Sequence, residues 1–243
     1  MRVIAGPNGS GKSTILRELD PAWIGVYVNA DDLQAQLMAG PVDLQALYGI
    51  SPEPRLEARL REALEASSLL RRAGLTETAG HARVIAATVA IAPAHVNAYV
   101  AAVLADFIRR ELLAAGESFT FETVMSSPDK VDFMREARAT GYRTYLYFVA
   151  TADPSINVER VQLRVAQGGH DVPEDKIRER YVRSIALLAP ACEASDRAYV
   201  FDNSGEQHIV IAEITNDEEM VRRVDDVPAW FAATELYRSF NPL

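Results

Sequence analysis

Near the start of the chain stands "GPNGSGKST", three glycines followed by a lysine and two hydroxyls. Gly6-Pro7-Asn8-Gly9-Ser10-Gly11-Lys12-Ser13 satisfies the spacing G-x-x-x-x-G-K-[ST]. Those residue types in that order suit one task, holding a polyphosphate. Glycines let successive backbone N–H groups face one concavity, and the positive end of a following helix adds to the field. Lys12 would neutralise the β- and γ-oxygens, the Ser13 hydroxyl would ligate Mg2+, and Thr14 closes the binding run. A second acidic element is expected nearby, and Glu122, at the end of the short apolar run "FTFE", is the candidate. No LSGGQ-like signature and no N-K-x-D motif is present, which turns the reading away from transporter ATPases and switch GTPases and towards ATP used for transfer.

The elements that must position these residues follow from periodicity and punctuation. "RVIA" reads as a short buried strand running into the glycine turn, and the helix after it covers roughly residues 12–19. "WIGVYVNADD" reads as a second strand ending in polar residues, where an α/β sheet places its chemistry. Residues 33–116 are rich in Ala, Leu, Arg and Glu, with no convincing strand. This stretch is expected to be a helical insertion, since it is too long for a plain crossover. "VIAATVAIAPAHVNAYVAAVLADF" within it reads as buried helix, broken by Pro93, His95 and Asn97.

Strands resume with "SFTFET", "YRTYLYFVAT", "RAYVFDNS" and "HIVIAEI", separated by helices. Ser127 is expected to cap the first of those helices and Asp153 the second. The alternation predicts an α/β class with a mostly parallel central sheet, and with the glycine turn the expected fold is a three-layer P-loop NTPase/kinase fold with a helical insertion, one domain over 1–243. The tail "PAWFAATELYRSFNPL" reads as a short packing helix with no assigned function.

The totals bound the function classes. The formal net charge of −9, with a pI near 5.0, argues against a general nucleic-acid or anionic-membrane binder. One cysteine, Cys192, excludes an internal disulfide and a cysteine zinc site and reads as a buried apolar residue. No His, Asp and Glu spacing suggests a dedicated zinc site. Neither a signal peptide nor an apolar run of about 18 residues is visible, so a cytoplasmic location is expected.

With "IAGPNGSGKST", "VNADD", "FTFET" and "RVAQGGHDVPEDKIRERYVRS" in this order, the chain resembles the zeta-toxin family of P-loop kinases, and its chromosomal zeta-toxin-like branch more than the plasmid addiction toxins. The resemblance implies an ATP-dependent kinase that phosphorylates a hydroxyl of UDP-N-acetylglucosamine and is restrained by a small antitoxin. It places Asp31 as the catalytic acid facing the substrate hydroxyl, with Asp32 the competing candidate and two helix-capping acids the plain alternative. An alcohol attacking a γ-phosphoryl needs such a carboxylate to orient it and take its proton. Glu122 and Thr123 match the pair used around substrate and metal. The toxins carry an arginine shortly after that threonine, whereas Met125 and Ser126 stand here.

Arg160 and Arg164 share one helical face, and Lys176, Arg180 and Arg183 another, with Gly168-Gly169-His170 between them. The residues alone fit either a mobile lid over 155–189 or a solvated basic face interleaved with Glu159, Glu174, Asp175 and Glu179. The resemblance favours the lid. It makes Arg164 and Arg180 the transition-state residues, with Lys12 and Asp31 the rest of the catalytic set, and Arg160 a platform for adenine. His170 reads as a joint residue hydrogen-bonded locally, with a ligand role the alternative. "VFDNSG" lies where P-loop kinases pass their adenine, or is a plain turn of Asp202, Asn203 and Ser204. Two readings stay beside the UDP-sugar kinase: a P-loop kinase for a nucleoside, nucleotide or other sugar, and a nucleotide-dependent binding module without transfer.

Overall fold

A computed structural model describes residues 1–169, 171–216 and 218–241. Among them are ten strands: β1 (Arg2–Ala5), β2 (Val26–Val28), β3 (Val42–Asp43), β4 (Ala82–Ile85), β5 (Thr88–Ile91), β6 (Phe119–Thr123), β7 (Tyr145–Ala150), β8 (Arg197–Asp202), β9 (Ile209–Thr215) and β10 (Glu219–Arg222). The chain divides into two compact units, Met1–Trp23 with Thr120–Leu243, and Ile24–Phe119.

In the first unit the strand order is β10-β9-β8-β7-β1-β6. β1 pairs in parallel with β6 and β7, and β7 with β8, while β9 and β10 close the edge antiparallel. The inner strands are apolar in nearly every position because helices cover both faces. On one face Ile4, Tyr147, Val149 and Phe201 pack with Ile15 of the helix Lys12–Glu18. On the other, Phe121, beside Val3 in register, meets Phe133 of the helix Asp129–Ala139 edge-on, with ring centroids 5.9 Å apart. The result is α/β with a mostly parallel central sheet, as expected. Gly6, Thr151 and Asn203 follow directly on the carboxyl ends of β1, β7 and β8, the place where such sheets bind ligands.

Local signals act as read at several ends. Asp153 accepts from the Ser155 N–H at the start of the helix Pro154–Ala166, with Pro154 in its first turn. Ser127 does not cap its helix. Asp129–Ala139 starts after Pro128, which makes no side-chain cap bond. The helices Pro154–Ala166 and Glu174–Ala186 pack on each other through Val158, Val161 and Ile177. The tail forms two short helices, Ala229–Ala232 and Glu235–Phe240, and buries Trp230, Phe231 and Leu236.

The second unit corrects the expectation of an all-helical insertion. It holds a three-stranded antiparallel sheet in the order β3-β5-β4 beside its helices. β4 and β5 form a hairpin from "ARVIAATVAI", which reads as helix by composition. Its two-residue turn is Ala86-Ala87, with Ala86 in the left-handed region at φ 55, so the usual glycine or asparagine turn signal is missing. The helix Ala98–Ala115 forms the unit's long apolar element. Asn97 caps it, accepting from the N–H groups of Tyr99 and Val100, and Gly116 ends it. Among the described residues no helix is long and apolar enough to cross a membrane.

Candidate active site

The glycine turn of residues 6–11 leaves β1 and enters the helix Lys12–Glu18, with Gly11 left-handed at the helix start. No side-chain hydrogen bond caps this helix at Gly11, and helix starts of this kind receive anions on their main-chain N–H groups. Lys12 is buried, and its Nζ donates to the Pro7 carbonyl at 3.0 Å, curling the turn around the ammonium. The same Nζ lies 3.9 Å from Glu122 Oε1, and Ser13 Oγ donates to Glu122 Oε2 at 3.3 Å. β1 and β6 run side by side, with Ile4 opposite Glu122, and this pairing delivers the carboxylate to the turn. Lys12, Ser13 and Glu122 are thus brought together. Ser13 and Glu122 present hard oxygen donors that fit Mg2+, and the carboxylate brings negative charge. Among the described residues no group of three His, Cys, Asp or Glu side chains is placed to hold a metal, so a bound ion would draw its other ligands from phosphate and water.

Thr123 is tied into the same corner. Its carbonyl accepts from the Gly6 N–H at 3.2 Å, and its hydroxyl accepts from the Met125 N–H at 3.0 Å. Met125 is buried and held at φ 49, a strained conformation for a residue with a side chain.

The basic residues separate into two groups. Arg160 donates to the Asn203 carbonyl at 2.7 Å and to the Gly205 carbonyl at 3.3 Å, which fixes its guanidinium on the turn after β8. Arg180 reaches the glycine turn, donating to Asn8 Oδ1 at 3.4 Å. Lys176 and Arg183 instead both pair with Glu179 on the exposed side of their helix, the solvated-face arrangement. Those two bases hold the Glu179 carboxyl below its ordinary range, Lys176 through a hydrogen bond and Arg183 through its charge. Arg164 is exposed, with its carbonyl accepting from the Gly169 N–H at 2.9 Å. His170 lies outside the described residues.

Asp31 stands in the second unit, in the first turn of the helix Ala30–Ala39. The cap is Asn29, whose Oδ1 accepts from Asp31 N at 2.8 Å and Asp32 N at 3.4 Å. Neither aspartate is therefore needed as a cap, and both carboxylates are exposed where the helix dipole favours negative charge. Partial burial, then the neighbouring Asp31, pushes the Asp32 carboxyl up from its ordinary range. Burial, then the Asp32 charge, pushes the buried Tyr48 phenol up to about 12.

Sequence reasoning missed Asn157. It is fully buried on the helix Pro154–Ala166; its Nδ2 donates to the Asn8 carbonyl at 2.6 Å, and its Oδ1 accepts from Thr151 Oγ1. The one available signal is a polar residue beside Val158 and Val161 on an apolar helical face. The Tyr181 hydroxyl donates to the Thr151 carbonyl at 2.6 Å, so the second basic helix is anchored at the same corner. Burial, reinforced by Asp153 and Asp202, pushes that phenol up to about 12.

Comparison with known proteins matches residues 83–217, more than half of the chain, to the family described as Zeta toxin. The AvrRxo1-ORF1:ORF2 complex crystallised with ATP contains a chain of similar fold: TM-score 0.53 at 14% identity, over 91% of this chain and 60% of that one. The same complex with sulphate ions gives a TM-score of 0.51 at 14% identity over the same shares. The toxin–antitoxin system PezAT of Streptococcus pneumoniae gives 0.49 at 12% identity, over all of this chain and 79% of that one. A Haemophilus influenzae protein, itself uncharacterized, is 30% identical over 63 residues, 26% of this chain and 45% of its own length. The chain thus spans about 60% of the AvrRxo1 chains it matches and less than half of the Haemophilus protein.

Proposed function

The chain belongs to the zeta-toxin family, and from that premise we propose that it is an ATP-dependent phosphotransferase that moves the γ-phosphoryl group to a hydroxyl of a small molecule, a UDP-N-acetyl sugar. The observation that carries this reading is the convergence of Lys12, Ser13 and Glu122 on an uncapped, glycine-lined helix start.

Residues 6–14 bind the triphosphate through main-chain N–H groups, and Lys12 exchanges its contact with the Pro7 carbonyl for phosphate oxygens. Ser13 and Glu122 would hold Mg2+, which would supply neutralising charge beside the phosphates. Arg160, fixed on the Asn203 and Gly205 carbonyls, offers its flat face to adenine. Arg180, already on the turn, and Arg164 bring charge to the transferring group. Asp31 orients the acceptor hydroxyl and takes its proton as the oxygen–phosphorus bond forms and the bond to ADP breaks. Glu122 and Thr123 would serve the acceptor and the metal, the role that the resemblance gives this pair. Residues 33–116 shape the acceptor pocket, 155–189 act as the lid, and a small antitoxin is the protein partner this reading implies.

The test is ATP consumption screened over sugar nucleotides, nucleotides and nucleosides, with mass spectrometry of the product. A UDP-N-acetyl sugar gaining one phosphoryl group in the wild type, but not in Lys12→Ala, is the expected outcome. A product formed only from a nucleoside or another sugar would reassign the acceptor. No ATP consumption with any acceptor, and no ATP binding, would refute the reading.

A further inference from the structure

The motif requires glycine at positions 6 and 11, yet this chain also has glycine at 9. The reason lies outside the turn. A Cβ on Gly9 would stand 2.5 Å from the Asn157 carbonyl, and one on Gly11 would stand 2.0 Å from the Asn203 side-chain amide. Both glycines also have left-handed backbones, φ 74 and φ 95. Two asparagines from different elements therefore press on the turn at close range. Each also donates to it: Asn157 Nδ2 to the Asn8 carbonyl at 2.6 Å, and Asn203 Nδ2 to the Ser10 carbonyl at 2.8 Å.

Those bonds decide where the turn's N–H groups point. The described chain contains no cis peptide bond, and in a trans peptide the carbonyl of one residue and the N–H of the next point opposite ways. Holding the Asn8 carbonyl outward aims the Gly9 N–H inward, and holding the Ser10 carbonyl outward does the same for the Gly11 N–H.

Both asparagines are themselves fixed. Asn157 Oδ1 accepts from Thr151, while the Asn203 N–H donates to the Ala150 carbonyl at 2.8 Å and its own carbonyl accepts from Arg160. We propose that Asn157 and Asn203 are positioning residues that hold the glycine turn with its N–H groups facing the phosphates, before any nucleotide arrives. The inference rests on the phosphate-binding reading and deepens it. It assigns two residues outside the motif to the motif's function, and it explains the additional glycine.

The experiment measures binding of ATP and of inorganic tripolyphosphate to the full chain by calorimetry, for the wild type and for Asn157→Leu, Asn203→Leu and Asn203→Ala, with a melting temperature for each. Asn203 is part-exposed, so its alanine variant keeps the test available if the buried Asn157→Leu fails to fold. Each variant is expected to lose about tenfold in affinity for ATP and for tripolyphosphate alike, the size of one backbone-directing hydrogen bond. ATP turnover at saturating nucleotide should stay within about threefold of wild type, so the loss appears in KM rather than kcat. Gly9→Ala should show the same loss. A merely structural role would lower the melting temperature and the active fraction while leaving the dissociation constants of the folded protein unchanged. That outcome overturns the proposal, as does loss of ATP affinity with tripolyphosphate affinity intact. Wild type binding neither ligand would remove the phosphate reading together with this inference, whereas wild type binding both, with all variants unaltered, removes this inference alone.

Discussion

Replacing Trp230 by phenylalanine should destabilise the first unit, although Trp230 belongs to the tail and lies beyond the family-matched segment. Its indole Nε1 donates to Asp202 Oδ2 at 2.5 Å, and the other carboxylate oxygen accepts from the Ser204 N–H at 2.8 Å. Asp202 is only 7% exposed and Trp230 9%, so water replaces the indole poorly. A hydrogen bond to a charged, buried acceptor contributes roughly 1.5–3 kcal/mol, and the lost indole surface adds about 1 kcal/mol. With roughly 2–4 °C per kcal/mol for a chain of this size, the melting temperature should fall by about 5–16 °C. The effect should also reach the site, because the turn after Asp202 carries the Asn203 and Gly205 carbonyls that fix Arg160. KM for ATP should therefore rise at temperatures where the variant remains folded. The assay is thermal unfolding of wild type, Trp230→Phe, Asp202→Asn and the double variant, with the double well short of additive. A fall below about 2 °C in Trp230→Phe, or strict additivity in the cycle, would refute the reasoning.

Asp32→Asn should raise stability at pH 7 by at most about 0.5 kcal/mol, since the group is exposed and screened. Its carboxyl is raised in the folded state, so ionisation is the disfavoured form there, and the gain should vanish below its unfolded value of 3.8, as read in melting curves against pH. Ala86→Asn should stabilise the hairpin turn by about 0.5–1 kcal/mol, because asparagine tolerates φ 55 better than alanine, and chemical unfolding checks it. Tyr181→Phe should cost about 1–2 kcal/mol by leaving the Thr151 carbonyl without its donor. Because that phenol is raised to about 12, its contribution is complete below pH 10 and lost as pH rises through 12, which alkaline ultraviolet titration against the variant would record.

What could be read from the sequence depended on how local the physics is. The glycine turn was legible because its chemistry belongs to the backbone and needs certain residue types at a certain spacing. β1, β6, β7 and β8 were legible because buried parallel strands are apolar almost throughout. β4 and β5 were not, since alanine-rich strands look like helix and an Ala-Ala turn carries no mark. β10, "EMVR", is four residues on a polar edge with no pattern to detect. Glu122 was found because it ends an apolar run, whereas Asn157 sits 149 residues from the carbonyl it holds, and only tertiary packing brings the two together. Of the six basic residues on the two helices, Arg160 and Arg180 engage the turns around the site, while Lys176 and Arg183 go to Glu179 and Arg178 to Glu174. Helical spacing alone could not sort them.

The most direct test of phosphoryl transfer compares Asp31→Asn with the wild type for ATP affinity and for turnover with the acceptor found by screening. The account predicts ATP binding within about threefold of wild type and turnover lower by at least about a hundredfold, the share a positioned proton acceptor supplies. Turnover equal to wild type in Asp31→Asn would contradict it.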